Sequence, residues 1–237
     1  MALSEIIIIN GVFSLLVVIV FIVVGVQLAL QYRKRKEKVY LQTGIAWIGV
    51  SEPWWPSSIS FLVALFNGTG INIELYMILN NAFLPIFLTL WLIVMCQLMK
   101  IKKKFLILIL NIAISAVLEI LMLYFLFTNT PLVGTKLTPV DIDFGPIAAI
   151  FLLYILLVFL VFGFIFAIKT LKLDDLETKI RGKFLLIAFI LYLIGAILEL
   201  IITFPQNRII LLVSAVIFYI GFVMPEKIKK IFIKSKK

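Results

Sequence analysis

Seven apolar runs govern what this chain can fold into. They lie at roughly 5–31, 39–66, 72–99, 105–128, 146–168, 184–204 and 209–224. A hydrocarbon core of about 30 Å takes about 20 helical residues to cross. Within lipid the backbone has to satisfy its own polar groups, and a helix does so within a single segment. The expected fold is an all-α integral membrane protein, a seven-transmembrane helix bundle forming a single domain over residues 1–237. The composition agrees, because 64% of residues are hydrophobic and mean hydropathy is +1.21, against roughly 45–50% apolar residues in soluble domains. The runs nearly use up the 237 residues, which leaves no room for a separate soluble domain.

The net charge of +10 points at first to nucleic acid. Its distribution points to membrane topology instead. Twenty of the 22 Lys and Arg fall in alternate connections: 33–38, 100–104, 169–183 and the tail from 227. Only Lys136 and Arg208 fall on the other side. Short loops rich in Lys and Arg stay cytoplasmic, so the N-terminus is expected outside and the C-terminus inside. An odd number of spans is what this alternation requires. The first run is not expected to be a cleaved leader, since Glu5 rather than a basic segment precedes it. After Pro225, Ile228, Ile231 and Phe232 share a helical face with lysines around them. Residues 226–237 are therefore expected as a short amphipathic helix at the cytoplasmic interface. Leu173, Leu176 and Ile180 similarly predict a short helical extension in the inner 5–6 connection. The expected location is the cell membrane, multi-pass.

Several chemistries are excluded or left without support. The chain has no histidine, which removes His-based triads, HExxH zinc sites and haem ligation by His. The single cysteine, Cys96, rules out an internal disulfide. No Asp lies in any run, so paired-aspartate hydrolysis inside the membrane has no residues to use. No enzymatic activity, resident cofactor or nucleic-acid partner is expected, and nothing in the chain identifies a metal.

The run at 39–66 contains Gly49-Val50-Ser51-Glu52-Pro53-Trp54-Trp55-Pro56-Ser57-Ser58. Proline removes a helical hydrogen bond and clashes with the preceding turn, so this span is expected to break at Pro53 and Pro56. An ionisable group at membrane depth is costly and marks a candidate site. Glu52, Glu119 and Glu199 lie deep inside the runs, while no Lys or Arg lies inside any of them. At a rise of about 1.5 Å per residue, the three sit about 20, 21 and 22 Å from the cytoplasmic ends of their spans. Asn80 and Asn81 fall near the same plane, and Tyr154 and Ser214 are further candidates for it. The expectation is a shared outward polar layer of Glu52, Glu119, Glu199, Asn80 and Asn81, walled by Trp54 and Trp55, which receives a small ligand or a cation. The carboxylates are expected to have no intramembrane ion-pair partner. The alternative places the end of span 2 near Trp55, with 57–66 on the outer surface and the tryptophans as interfacial anchors. The outer 4–5 connection, Thr130 to Gly145, is read as a connector, with a lid as the alternative.

Ser115-Ala116-Val117-Leu118-Glu119 and Gly195-Ala196-Ile197-Leu198-Glu199 share a pattern in which small residues precede the Glu on one helical face. Such patches admit close helix contact. No retinal-binding lysine stands in 209–223, and the triplets typical of G-protein-coupled receptors are missing from spans 3 and 7. Pro205-Gln206 falls in an outer turn and is read as unrelated to the sugar transporters that carry this pair.

The N-out layout, the run Trp47-Ile48-Gly49-Val50-Ser51-Glu52-Pro53-Trp54-Trp55-Pro56 and the closing Gly221-Phe222-Val223-Met224-Pro225 resemble uncharacterised archaeal seven-span proteins. They also resemble the seven-span sensory regions attached to some prokaryotic signalling kinases. The resemblance covers architecture alone. The seven-helix bundle, the outward polar layer and the basic cytoplasmic surface lead instead to the expectation of a receptor-like protein that binds a small ligand and signals to a separate cytoplasmic partner through basic loops and tail. The alternative is a proton- or cation-coupled transporter using the same carboxylates.

Overall fold

A computed structural model describes residues 3–201 and 207–234. The Pro205-Gln206 turn and the last lysines, Lys236 and Lys237, lie outside the described residues. Of the described residues, 83% are helical. Among the described residues ten α-helices run in order: α1 Glu5–Arg35, α2 Lys38–Gly49, α3 Trp55–Asn67, α4 Ile73–Asn81, α5 Leu84–Leu98, α6 Lys104–Thr128, α7 Pro146–Leu171, α8 Leu176–Ile201, α9 Asn207–Val223 and α10 Glu226–Lys234. Two three-residue strands, β1 Gly134–Lys136 and β2 Ile142–Phe144, pair antiparallel between α6 and α7. Among the described residues five helical stretches are long and apolar enough to cross a membrane, and six if the bent α9–α10 pair is taken as one.

Polarity is distributed inside out. Ile120, Phe105, Phe127 and Leu157 stand 65%, 72%, 68% and 64% exposed, whereas Glu52, Asn80, Asn81 and Ser14 are completely buried. Apolar surface on this scale is unsuited to water and marks contact with lipid or protein.

The prolines and polar residues set the breaks. α2 ends at Gly49, a 3-10 turn covers Glu52–Trp54, and α3 resumes with Pro56 in its first turn. Pro suits that position, where its missing N–H would have had no helical partner. α3 continues alongside α1, with Phe61 against Gly11, and buries Ser57, Ser58, Ser60, Phe61 and Ala64. α4 and α5 break in the same way, with Pro85 opening α5. The predicted extension at Leu176–Ile180 is the first turn of α8, where Asp175 accepts hydrogen bonds from the Thr178 amide at 2.8 Å and its hydroxyl at 2.6 Å.

α1 and α2 pack as an antiparallel pair. α2 also meets α5, α5 meets α7, α7 meets α8, and α9 packs on both α8 and α1, which closes a ring. α6 lies against α5 and α7 on the outside of this ring and buries only Asn111, Ser115, Met122 and Leu126. α10 turns away from α9 by 83° and carries an exposed basic face. It returns to α8 through Phe184–Phe232, with ring centroids 5.4 Å apart, and through Lys229–Glu177 at 2.6 Å. These contacts hold the predicted C-terminal helix against the bundle. The Lys229 partner holds the Glu177 carboxyl below its usual range.

Glycine is required where α1 crosses α2. A Cβ at Gly44 would meet the Gly25 carbonyl oxygen and lie 2.6 Å from the Ala29 amide nitrogen. Both obstacles are backbone and cannot rotate away. Gly44→Val is expected to destabilise the protein by about 1–3 kcal/mol through overpacking, read as a lower thermal midpoint in lipid nanodiscs. An unchanged midpoint would contradict this close crossing.

Candidate polar cluster and cavity

The fold brings one cation into its interior. Arg208, in the first turn of α9, is 4% exposed. It corrects the expectation that no cation partners the buried carboxylates. Its Nε and Nη2 donate to Glu199 Oε1 at 2.9 and 2.6 Å. Nη1 donates to the Asn10 carbonyl at 2.7 Å and to Ser14 Oγ at 2.6 Å. Nη2 also reaches Asp141 Oδ1 at 3.4 Å, and Asn10 Nδ2 donates to Asp141 Oδ2. A guanidinium has five N–H donors in a fixed fork, and here each of the five has an acceptor. A buried charge is tolerated when it is paired and hydrogen-bonded in this way.

The cluster joins distant parts of the chain: α1 supplies Asn10 and Ser14, α8 supplies Glu199, and the connection between the strands supplies Asp141. The whole segment from α6 to α7 is more than a spacer, because Val133 and Val140 are fully buried and Asp141 is 8% exposed. Tyr76 Oη donates to the Val140 carbonyl at 3.2 Å, and Ser60 Oγ donates to the Pro139 carbonyl. Lys136 Nζ donates to the carbonyls of Thr69 and Ile71 at 2.6 and 2.5 Å. Burial raises the Asp141 pKa above the ordinary aspartate range, and the Arg208 charge opposes that rise.

Beside the cluster lies a cavity of about 540 Å³. Asp141, Asp143, Glu199 and Arg208 line one end of it. Trp54, Trp91, Phe159 and Tyr192 line the rest, together with leucines of α5 and α7. Farther from the hairpin the bundle is filled by aromatic rings. Trp47 stacks on Phe218 with centroids 3.5 Å apart and on Phe21 at 5.4 Å. Trp91 meets Phe159 at 4.8 Å and donates its indole N–H to the Phe159 carbonyl at 3.2 Å.

The expected shared layer is not assembled as one site. Of the three glutamates, only Glu199 lines the cavity. Glu52 is fully buried at the break in span 2, where its Oε1 accepts the Phe83 amide N–H at 2.8 Å. It thereby satisfies a free donor at the start of α5. Glu119 lines a separate groove between α5 and α6, with Pro85, Thr89 and Ala116. Asn80 and Asn81 bond each other at 3.2 Å, and Asn81 bonds the Met77 carbonyl at 3.0 Å, away from the cavity lining. Trp54 is a cavity wall, but Trp55 is not: its indole donates to Ser51 Oγ at 3.0 Å and its ring meets Phe87 edge-on. Tyr154 donates to Asn111 Oδ1 at 2.9 Å, and Ser214 to the Ala188 carbonyl at 2.9 Å. Depth along a helix says nothing about which way a side chain points round its axis, and that is why residues at one level separate here.

The repeated small-residue pattern also divides. Gly195 receives Leu211 of α9, whose Cδ2 would lie 2.7 Å from an added Cβ. Its counterpart in α6 leaves Ala116 and Glu119 on an open groove. Among the described residues no group of three His, Cys, Asp or Glu side chains is placed to hold a metal ion. Searches of family models, of curated proteins and of solved structures find no match to this chain.

Arg208→Met leaves Glu199 and Asp141 facing each other without a cation. Breaking a buried pair in this way costs about 3–5 kcal/mol. Combining it with Glu199→Gln is expected to cost much less than the sum of the single changes, in a double-mutant cycle of thermal unfolding in nanodiscs; additive losses would contradict the pairing. Glu52 behaves differently if it acts as a cap. Glu52→Gln keeps the acceptor and is expected to stay within about 1 kcal/mol of the parent, whereas Glu52→Leu loses about 1–3 kcal/mol. Equal losses from both would contradict the capping role.

Proposed function

We propose that this chain is a receptor-like seven-span membrane protein that binds a small ligand or cation from the outer side and signals to a separate cytoplasmic partner. On this reading α2 and α3 form one span broken at Glu52, α4 and α5 form another, and α9 is the seventh. The N-terminus and the β1–β2 hairpin lie outside, as the 20-to-2 division of Lys and Arg requires. The protein resides in the cell membrane, with α10 in the inner interface.

The carrying observation is the cavity of about 540 Å³ with the Arg208–Glu199–Asp141 cluster at one end and tryptophans along its wall. Ligand sites are mostly apolar concavities of about 300–1,000 Å³ with a few convergent polar groups. A cup suits a receptor better than a pathway, because a through-path needs a second polar layer below the first. Trp47, Trp91, Phe159 and Phe218, which pack ring against ring where the cavity ends, supply no such layer. The alternative, a proton- or cation-coupled transporter, draws its support from Glu52 and Glu119, carboxyl groups with an oxygen lacking a partner among the described residues. Both stand outside the cavity. For a signalling role, α8 is the connecting element. Its Glu199 end meets the cavity, and its Glu177 end is paired with Arg181 at 2.6 Å and with Lys229 of α10.

Two measurements test the proposal together. In a Cys96→Ser background, Asp143→Cys is expected to react with a membrane-impermeant thiol reagent from outside only, and Lys102→Cys from inside only. Proteoliposomes under an imposed proton or potassium gradient are expected to show no protein-dependent flux. Labelling of both cysteines from one side would overturn the topology. A flux removed by Glu199→Gln would move the assignment to the transporter.

A further inference from the structure

The chemistry of the cavity narrows its ligand. The Asp, Glu, Lys and Arg side chains that line it are three carboxyls, of Asp141, Asp143 and Glu199, and one guanidinium, of Arg208, beside the phenols of Tyr76 and Tyr192. Arg208 is not free to receive an anion, because each of its five N–H donors already has an acceptor within the protein. The carboxyls do have spare capacity. Both Arg208 bonds to Glu199 fall on Oε1, and among the described residues no donor reaches Oε2. Asp143 is exposed at the cavity edge. The charged end therefore favours a cation with N–H donors. The other end offers indole and phenyl faces and leucines, which suit an apolar body and attract a cation at its boundary.

The mouth of the cavity adds a second, geometric constraint. The hairpin covers the top of the bundle and is fastened at Ser60, Thr69, Ile71 and Tyr76, and through Asp141 at Asn10 and Arg208. The exposed lining residues lie instead along one flank. Leu137 is 58% exposed and Leu153 of α7 is 50% exposed, and Asp143 in β2, three residues before α7, is exposed as well. Ala149, Leu152 and Leu156 of α7 line the cavity together with Ala196 and Glu199 of α8, so the hairpin-end halves of both helices border it. A leucine-rimmed side opening near a carboxylate matches the boundary between acyl chains and headgroups.

We propose that the cavity takes an amphiphile with a primary-amine head and an apolar chain, drawn from the outer leaflet between α7 and α8. This rests on the outward ligand cup proposed above and names its ligand class. The amine sits among Glu199, Asp141 and Asp143, and the chain lies along Trp54, Trp91 and the leucines of α7.

The test uses full-length protein in phosphatidylcholine nanodiscs, with dodecylamine, dodecanol, dodecyl sulfate and ethylamine as probes. Tryptophan emission and the thermal midpoint are the readouts. Dodecylamine is expected to change both saturably, at least tenfold more tightly than dodecanol, with no saturable response to dodecyl sulfate. Asp143→Asn, which removes a surface carboxylate and no hydrogen bond within the fold, is expected to weaken dodecylamine several-fold. Leu153→Trp, at the rim, is expected to slow its association, and Glu119→Gln, outside the cavity, to leave binding unchanged. Ethylamine binding as tightly as dodecylamine would overturn the amphiphile while the ligand cup stands. Saturable binding of dodecyl sulfate would overturn the charge argument. No response to either amine would overturn both the inference and a cation-binding cup.

Discussion

A guanidinium buried in an apolar bundle must either be fully paired or be expelled, and the hairpin end of this molecule is arranged around pairing one. Arg208 takes acceptors from α1, α8 and the strand connection. The desolvation of an unpaired ion amounts to several kcal/mol, so the four segments cannot drift apart independently. The connection between α6 and α7 is consequently part of the bundle and not a loose surface loop. The cavity exists because this cluster holds α8 and α9 at one end while aromatic packing fills the other.

The same economy of polar groups governs the broken helices. Where α2 gives way to α3 and α4 to α5, backbone groups are freed at a depth without water. Glu52 answers one such need by accepting the Phe83 amide. Ser51 and Ser58 bond carbonyls three and four residues back on either side of the first break, at 2.7 and 2.8 Å. Most of the buried polar residues are therefore structural. Position inside a membrane helix marks a residue as costly, and its partners then decide whether it serves the fold or a ligand.

Much of the architecture was legible in the chain. Long apolar runs predict long helices, Pro53 and Pro56 predict the break beside Glu52, and the Ile–Lys pattern after Pro225 predicts α10. The cluster was not legible for two reasons. Arg208 stands one residue before the apolar run at 209 and reads as a loop cation, although Asn10, Ser14 and Glu199 at the same end of their helices were the available signal. Asp141 belongs to a segment whose turn residues suggest a connector, and nothing local reveals that Val133 and Val140 anchor it. The expected union of Glu52, Glu119 and Glu199 failed because helical rise gives height but not azimuth, and α6 stands outside the ring.

The account rests on the Arg208–carboxylate contact. Solid-state NMR can measure it in lipid as dipolar coupling between guanidinium nitrogens and carboxyl carbons. Arg181 with Glu177 supplies an internal reference on another part of the surface. The account predicts a second, rigid guanidinium–carboxyl contact that disappears in Arg208→Lys while the reference remains. A spectrum unchanged by Arg208→Lys would contradict it.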